Sequence, residues 1–194
     1  WNNDNNNPPL VRDPDNPNLY TYTGKFVNGF FKVLEQRGSS QPQWGVGPNG
    51  NLASSEDLGE DPDVFEISNG DGYYTLTLDL ANSDYNIEAF DASGAATYST
   101  IGIIGDSTPD GWGADTDMTQ STFDPHLWYI TDIDLVDGFA KFRAGDAWDT
   151  NWGSDTELTG FGTQGGQDIP VSPGNYDVWF NDLDGSYVFI ANEE

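Results

Sequence analysis

The sequence predicts an all-β protein built as two tandem antiparallel β-sandwiches, the first lacking its opening strand. Three observations lead there. The apolar runs are short, rich in valine, isoleucine, tyrosine, phenylalanine and threonine, and alternate with period two, whereas no stretch sustains a helical period. Glycine (23) and proline (11) punctuate those runs at short intervals. The chain also repeats itself once, and the first copy begins partway through the repeat.

The elements follow in order. Residues 1–18, WNNDNNNPPLVRDPDNPN, are rich in asparagine, aspartate and proline and read as a long loop or turn series. Leu19 to Thr23 alternates as a half-buried strand, Gly29 to Leu34 is the next, and the glycine-rich segment from Gln36 to Ser55 reads as irregular. An acidic loop from Glu56 to Asp63 leads to a short strand, Val64 to Ile67. Tyr73 to Leu80 is the clearest strand of this half, with Tyr74, Leu76, Leu78 and Leu80 inward and threonines outward. A turn at Asn82 to Asp84 folds it back on Tyr85 to Ala89. The small, flexible run DASGAA, residues 91–96, reads as a junction, giving domains 1–95 and 96–194. The second half then supplies strands at Thr100 to Ile104, His126 to Asp132, Gly138 to Arg143 and Ile169 to Val171, and a hairpin of Tyr176 to Phe180 with Tyr187 to Ile190. Ser154 to Gln167 reads as loop.

Alignment of the halves pairs Trp1 with Trp112, Tyr20 with Trp128, Gly29 with Gly138, Lys32 with Lys141, and Trp44-Gly45 with Trp152-Gly153. Tyr74 pairs with Tyr176 and Tyr85 with Tyr187. The first half has no counterpart of Thr100 to Ile104 or of the turn that follows it. A sheet lacking one edge strand can remain folded if its neighbour domain shields the edge, and an exposed edge is a liability because unpaired backbone groups invite association.

Composition excludes several functions. A formal charge of -27 argues against nucleic acid and anionic membrane as partners, since both are held by basic patches. With no cysteine there is neither disulfide nor thiolate chemistry, and no apolar run reaches the roughly 20 residues of a spanning helix. No cofactor is expected. The chain starts with Trp1 rather than methionine, which reads as a piece of a longer protein whose signal or lipid anchor lies upstream.

Against this acidic background, Gly138 to Gly153, GFAKFRAGDAWDTNWG, holds two of six basic residues and two of seven tryptophans. Strand alternation puts Ala140 and Phe142 on one face and Phe139, Lys141 and Arg143 on the other, so one face packs and the other is expected to present cations. A tryptophan beside a cation suits a sugar ring: the indole stacks on its apolar face and the charged donor takes hydroxyls.

The runs IGIIGDSTPDGW (101–112), GFAKFRAGDAWDTNWG and PGNYDVWFNDLDGSYVFI (173–190) resemble the repeated outer-membrane SusE/SusF-type domain of Bacteroidetes. The resemblance implies immunoglobulin-like sandwiches that bind starch or a related glucan at the cell surface, feed a SusC/SusD-like importer and perform no chemistry. It implies a lipid-anchored, outer-membrane location and a monomer. In such domains two aromatics form an arc around the glucan and a basic residue donates to it. The matching positions here are Trp112, Arg143 and Trp152, with Lys141 on Arg143's face. In the first half Trp1, Lys32 and Trp44 remain, but Leu34 stands where Arg143 does, so the cation is lost or comes from Arg37. Other glycans, such as the β-glucan laminarin, stay open as ligands.

Each feature has a plainer reading. Trp112 and Trp152 could cap a sandwich core; Trp128 faces inward and reads as core, Trp148 stays open between the two roles, and Trp179 is expected on an outer face. His126, the only histidine, reads as a structural surface residue. The acidic pairs around Asp13, Asp115 and Asp182 invite calcium but lack the spacing of an EF-hand loop, so they read as solvated turns and no metal site is assigned. The competing functions are a glycoside hydrolase, which needs two carboxylates about 5 to 10 Å apart, and a spacer or adhesin whose aromatics are packing contacts.

Overall fold

The computed structural model describes residues 7–192. The chain is nearly all β and the strand pairings described below are antiparallel, the helical exceptions among the described residues being Ser55–Leu58 and a 3-10 turn at Gly111–Gly113. It divides into two compact units: Asn16–Asp91 with the segment ending at Leu10, and Ala92–Glu194 with Val11–Asp15.

In the first unit Leu19–Phe26 pairs with Gly72–Asp79, which pairs with Asp84–Ala89. Facing that sheet, Gly29–Phe31 pairs with Phe65–Ile67, and Val33–Leu34 with Gln43–Val46, which in turn pairs with Leu52–Ser54. The expected alternation holds along Gly72–Asp79: Tyr74, Leu76 and Leu78 are buried and the threonines between them are half-exposed. Phe65 joins the layers, with Phe31 at 5.3 Å on its own side and the edge of Tyr85 at 4.9 Å on the other.

In the second unit one sheet runs in the order Thr119–Gln120, Leu127–Leu135, Gly174–Asn181, Ser186–Ala191, Thr159–Phe161. The other runs Thr116–Asp117, Ile101–Ile104, Gly138–Ala144, Asn151–Gly153, Thr163–Gln164, with Ile169–Val171 also paired to Gly138–Ala144. Phe142 from one sheet lies flat on Phe180 of the other, ring centroids 4.4 Å apart, and Trp128, Ile101, Ile103 and Val178 complete a core. Each fully buried ring or branched side chain of this kind contributes about 1.5–3 kcal/mol.

The internal repeat is written in the strand registers. Val33 sits opposite Trp44 as Phe142 sits opposite Trp152. Gly29 sits opposite Ile67 as Gly138 opposite Val171, Tyr20 opposite Leu78 as Trp128 opposite Phe180, and Leu78 opposite Tyr85 as Phe180 opposite Tyr187. Even a side-chain detail recurs: the Tyr74 hydroxyl donates to the Gly70 carbonyl and the Tyr176 hydroxyl to that of Ser172, four residues back in both cases. The second copy differs by a bulge between Ile130 and Ile133.

Several short elements escape the sequence reading. Gln43–Val46 and Leu52–Ser54 lie in the stretch read as irregular, and Thr159–Phe161 and Thr163–Gln164 in the one read as loop. Each has four residues or fewer, too few for alternation to show. Ser55–Leu58 forms inside the acidic run because the Ser54 side chain accepts from the Asp57 amide and Gly59 closes the turn at φ 70°. The two copies differ at this edge: among the described residues, Gly29–Phe31 and Val33–Leu34 each pair on one side only, whereas Gly138–Ala144 has partners on both.

Candidate functional site

Two loops at one end of the second unit carry the exposed tryptophans. Ile101–Ile104 runs into the turn that ends at Gly111–Gly113, and Gly105 lets that turn pass where a Cβ would strike the Phe139 carbonyl. Trp112, between two glycines, emerges 40% exposed. The second loop follows Gly138–Ala144, turns through Gly145 (φ 65°) and Asp146 (φ 54°), and presents Trp148, 49% exposed. Asn151 fixes it by donating its side-chain amide to the Trp148 carbonyl at 2.9 Å. The two indoles lie 6.0 Å apart, tilted by 38°.

Beneath them lies Arg143. Its Cζ is 4.6 Å from the Trp148 ring centroid, a cation–π contact, and its Nε donates to Asp115 Oδ1 at 2.6 Å. The Arg143 side chain is nearly buried and that of Asp115 almost wholly so. Burial pushes the Asp115 carboxyl above the usual range; the Arg143 guanidinium pulls it back, and the Asp146 carboxyl adds to the upward push. The result is a rigid stack of carboxylate, guanidinium and indole, open on the indole side.

This arrangement corrects part of the sequence reading. Trp152 does not stand in a loop: it lies in Asn151–Gly153 opposite Phe142, 8% exposed, edge-on to Tyr98 at 5.4 Å and tilted against Phe180 at 5.0 Å. Strand pairing turns its ring into the core, and Gly153 seals the position, since a Cβ there would meet the Gln167 carbonyl. The outer face of Gly138–Ala144 does not present cations either. Lys141 is buried, its Nζ donating to the Gly166 carbonyl with Asp168 at 3.8 Å. Arg143, 7% exposed, is likewise covered. The glycine loop and Asp115 close over a face that alternation alone leaves open. Trp148, which the sequence left undecided, takes the place given to Trp152; its signal was its position beyond a Gly-Asp turn, where no strand can bury it.

In the first unit, Trp1 lies outside the described residues. Trp44 is half-buried opposite Val33 and packs on the core. Lys32 is half-buried between Gly29–Phe31 and Val33–Leu34. Its charge helps keep the Asp61 carboxyl below its usual range, after hydrogen bonds from Gln41 and Gln43. Arg37 is exposed in the loop that follows.

A second polar cluster lies where solvated groups are expected from the sequence. His126 is buried, its Nδ1 bonded to Asp182 Oδ1, while Asp182 Oδ2 accepts from Trp128 Nε1 at 2.8 Å. Burial raises the Asp182 carboxyl to about 6, against the lowering effect of both hydrogen bonds. His126 is therefore an internal residue rather than a surface one, and Asp182 an anchor for a core tryptophan.

The fold defines an all-β protein of antiparallel sheets in two internally related units. No protein-family model matches the sequence, and no curated protein matches it. Among solved structures, SusF from Bacteroides thetaiotaomicron is similar over 95% of this chain and 44% of its own length, at 11% identity and a TM-score of 0.37. The chain thus spans less than half of that protein, and a likeness this loose leaves the site to be judged by its own residues.

Proposed function

We propose that the second unit is a non-catalytic carbohydrate-binding module whose platform is the Trp112–Trp148 pair, with Arg143 positioning Trp148 from below. The observation that carries this reading is the pair itself: two indoles about half exposed, tilted by 38°, on loops braced by an ion pair and a cation–π contact. Exposed tryptophans cost solvation, and these two, in contact with each other, still keep 40% and 49% of their surface in solvent. A tilted pair cradles a curved chain better than a flat ribbon, which favours an α-glucan such as starch over laminarin. Each ring contributes on the order of 1 kcal/mol, so capture is weak and gains from repetition along a polymer. The sequence resemblance supports a place at the cell surface, lipid-anchored in the outer membrane and serving a SusC/SusD-like importer.

Affinity electrophoresis tests the reading. Wild-type protein is expected to be retarded in gels containing an α-glucan, and the Trp112→Ala, Trp148→Ala double variant to migrate freely with its far-ultraviolet spectrum unchanged. Equal mobility of the two would favour a spacer, retardation only by laminarin would move the ligand to β-glucans, and release of reducing sugar would make the protein a hydrolase.

A further inference from the structure

We infer that the edge of the first unit from Phe31 to Leu34, open among the described residues, is an acceptor for one extended apolar strand, docking antiparallel in the place Ile101–Ile104 occupies in the second unit. The two copies provide the comparison. Ile101–Ile104 lies on Gly138–Ala144 with Ile103 opposite Phe142 and Ile104 opposite Lys141, and under it Ala140, Lys141, Phe142 and Arg143 are all buried. The equivalent residues, Phe31, Lys32, Val33 and Leu34, are all half-exposed. The difference is local: one position earlier, Phe30 and Phe139 are exposed alike, at 63% and 47%.

The backbone supports the same conclusion. The Glu35 amide donates inward to the Pro42 carbonyl at 3.1 Å, as the Ala144 amide donates to Thr150 at 3.0 Å. Amides alternate along a strand, so those of Lys32 and Leu34 point to the open side, where Lys141 and Arg143 meet Ile104 and Gly102. The register specifies the occupant: an extended segment with a β-branched apolar residue opposite Val33, whose side chain already packs on the core cluster of Leu52, Phe65, Leu76 and Leu78. Main-chain bonds would give affinity and that one side chain specificity, as in other strand additions.

The probe is a capped synthetic peptide with the sequence of residues 100–106, TIGIIGD, added to the whole chain while amide exchange is followed by NMR. The expected result is at least about tenfold slower exchange at Lys32 and Leu34 with no change at Lys141 and Arg143, and no effect from a peptide carrying aspartate in place of its second isoleucine, the counterpart of Ile103. Leu34→Pro removes only an outward amide, so it is expected to abolish the peptide effect while the melting temperature holds. Exchange that ignores the peptide would overturn the inference. So would protection that rises with protein concentration alone, which would make a second copy the occupant, or protection confined to Lys141 and Arg143.

Discussion

The two units share a backbone frame and use it differently, and the difference shows what separates packing from display. At matched positions Trp44 and Trp152 both lie opposite the centre of the same strand, yet Trp152 is sealed by neighbours on every side and Trp44 only half-covered. The Leu80 amide donates to the Asn18 carbonyl as that of Asp182 donates to His126, but only the second unit adds a buried side-chain hydrogen bond there, between His126 and Asp182. Where the first unit has Leu34, the second has Arg143 under an exposed indole. The frame is set by registers; what each unit can bind is set by the loops and by whether the edge strand is present.

The largest effect that sharpens this comparison is Trp152→Ala. It empties a core site and is expected to cost the second unit about 3–5 kcal/mol, whereas Trp44→Ala costs the first less than half as much, read from urea unfolding. Equal costs would break the contrast. Next comes Asp182→Ala, which strands the His126 and Trp128 donors and is expected to cost about 3 kcal/mol; Leu80→Ala at the matched position is expected to cost less, since Leu80 is only partly buried.

Smaller still, Arg143→Lys gives up the flat cation under Trp148. The expected outcome is a few-fold weaker glucan retention at a stability cost of about 1 kcal/mol; retention unchanged would remove Arg143 from the platform. A pH slope gives a further check. Asp182 has a folded pKa of about 6 against an ordinary 3.8, so the folded state holds more protons between those values, and the stability contributed by this group falls as pH rises from about 4 to about 6. Asp182→Asn is expected to flatten the slope of the urea midpoint across that window; an unaltered slope would contradict the assignment.

Much of the frame was legible because alternation and repetition are local signals. Tyr74, Leu76 and Leu78 could be placed from period two alone, and the pairing of Lys32 with Lys141 fixed a register that the strands follow. What alternation cannot report is how a strand's outer face is covered. Lys141 and Arg143 alternate outward, yet Gly166 and Asp115, 25 and 28 residues away, close over them. Trp152 was misplaced because three residues, Asn-Trp-Gly, are too few to read as strand, and Trp148 stayed undecided because its exposure depends on the Gly145–Asp146 turn. Asp182 looked solvated because its partner, His126, lies in the turn just before Leu127–Leu135, 56 residues earlier.

The most direct test follows the indole Nε1–H resonances of the seven tryptophans while a malto-oligosaccharide is added. The account predicts that Trp112 and Trp148 shift together and saturably, while Trp44, Trp128 and Trp152 stay in place. Movement of Trp152 or Trp44 in their stead, or no movement of any indole at saturating sugar, would contradict it.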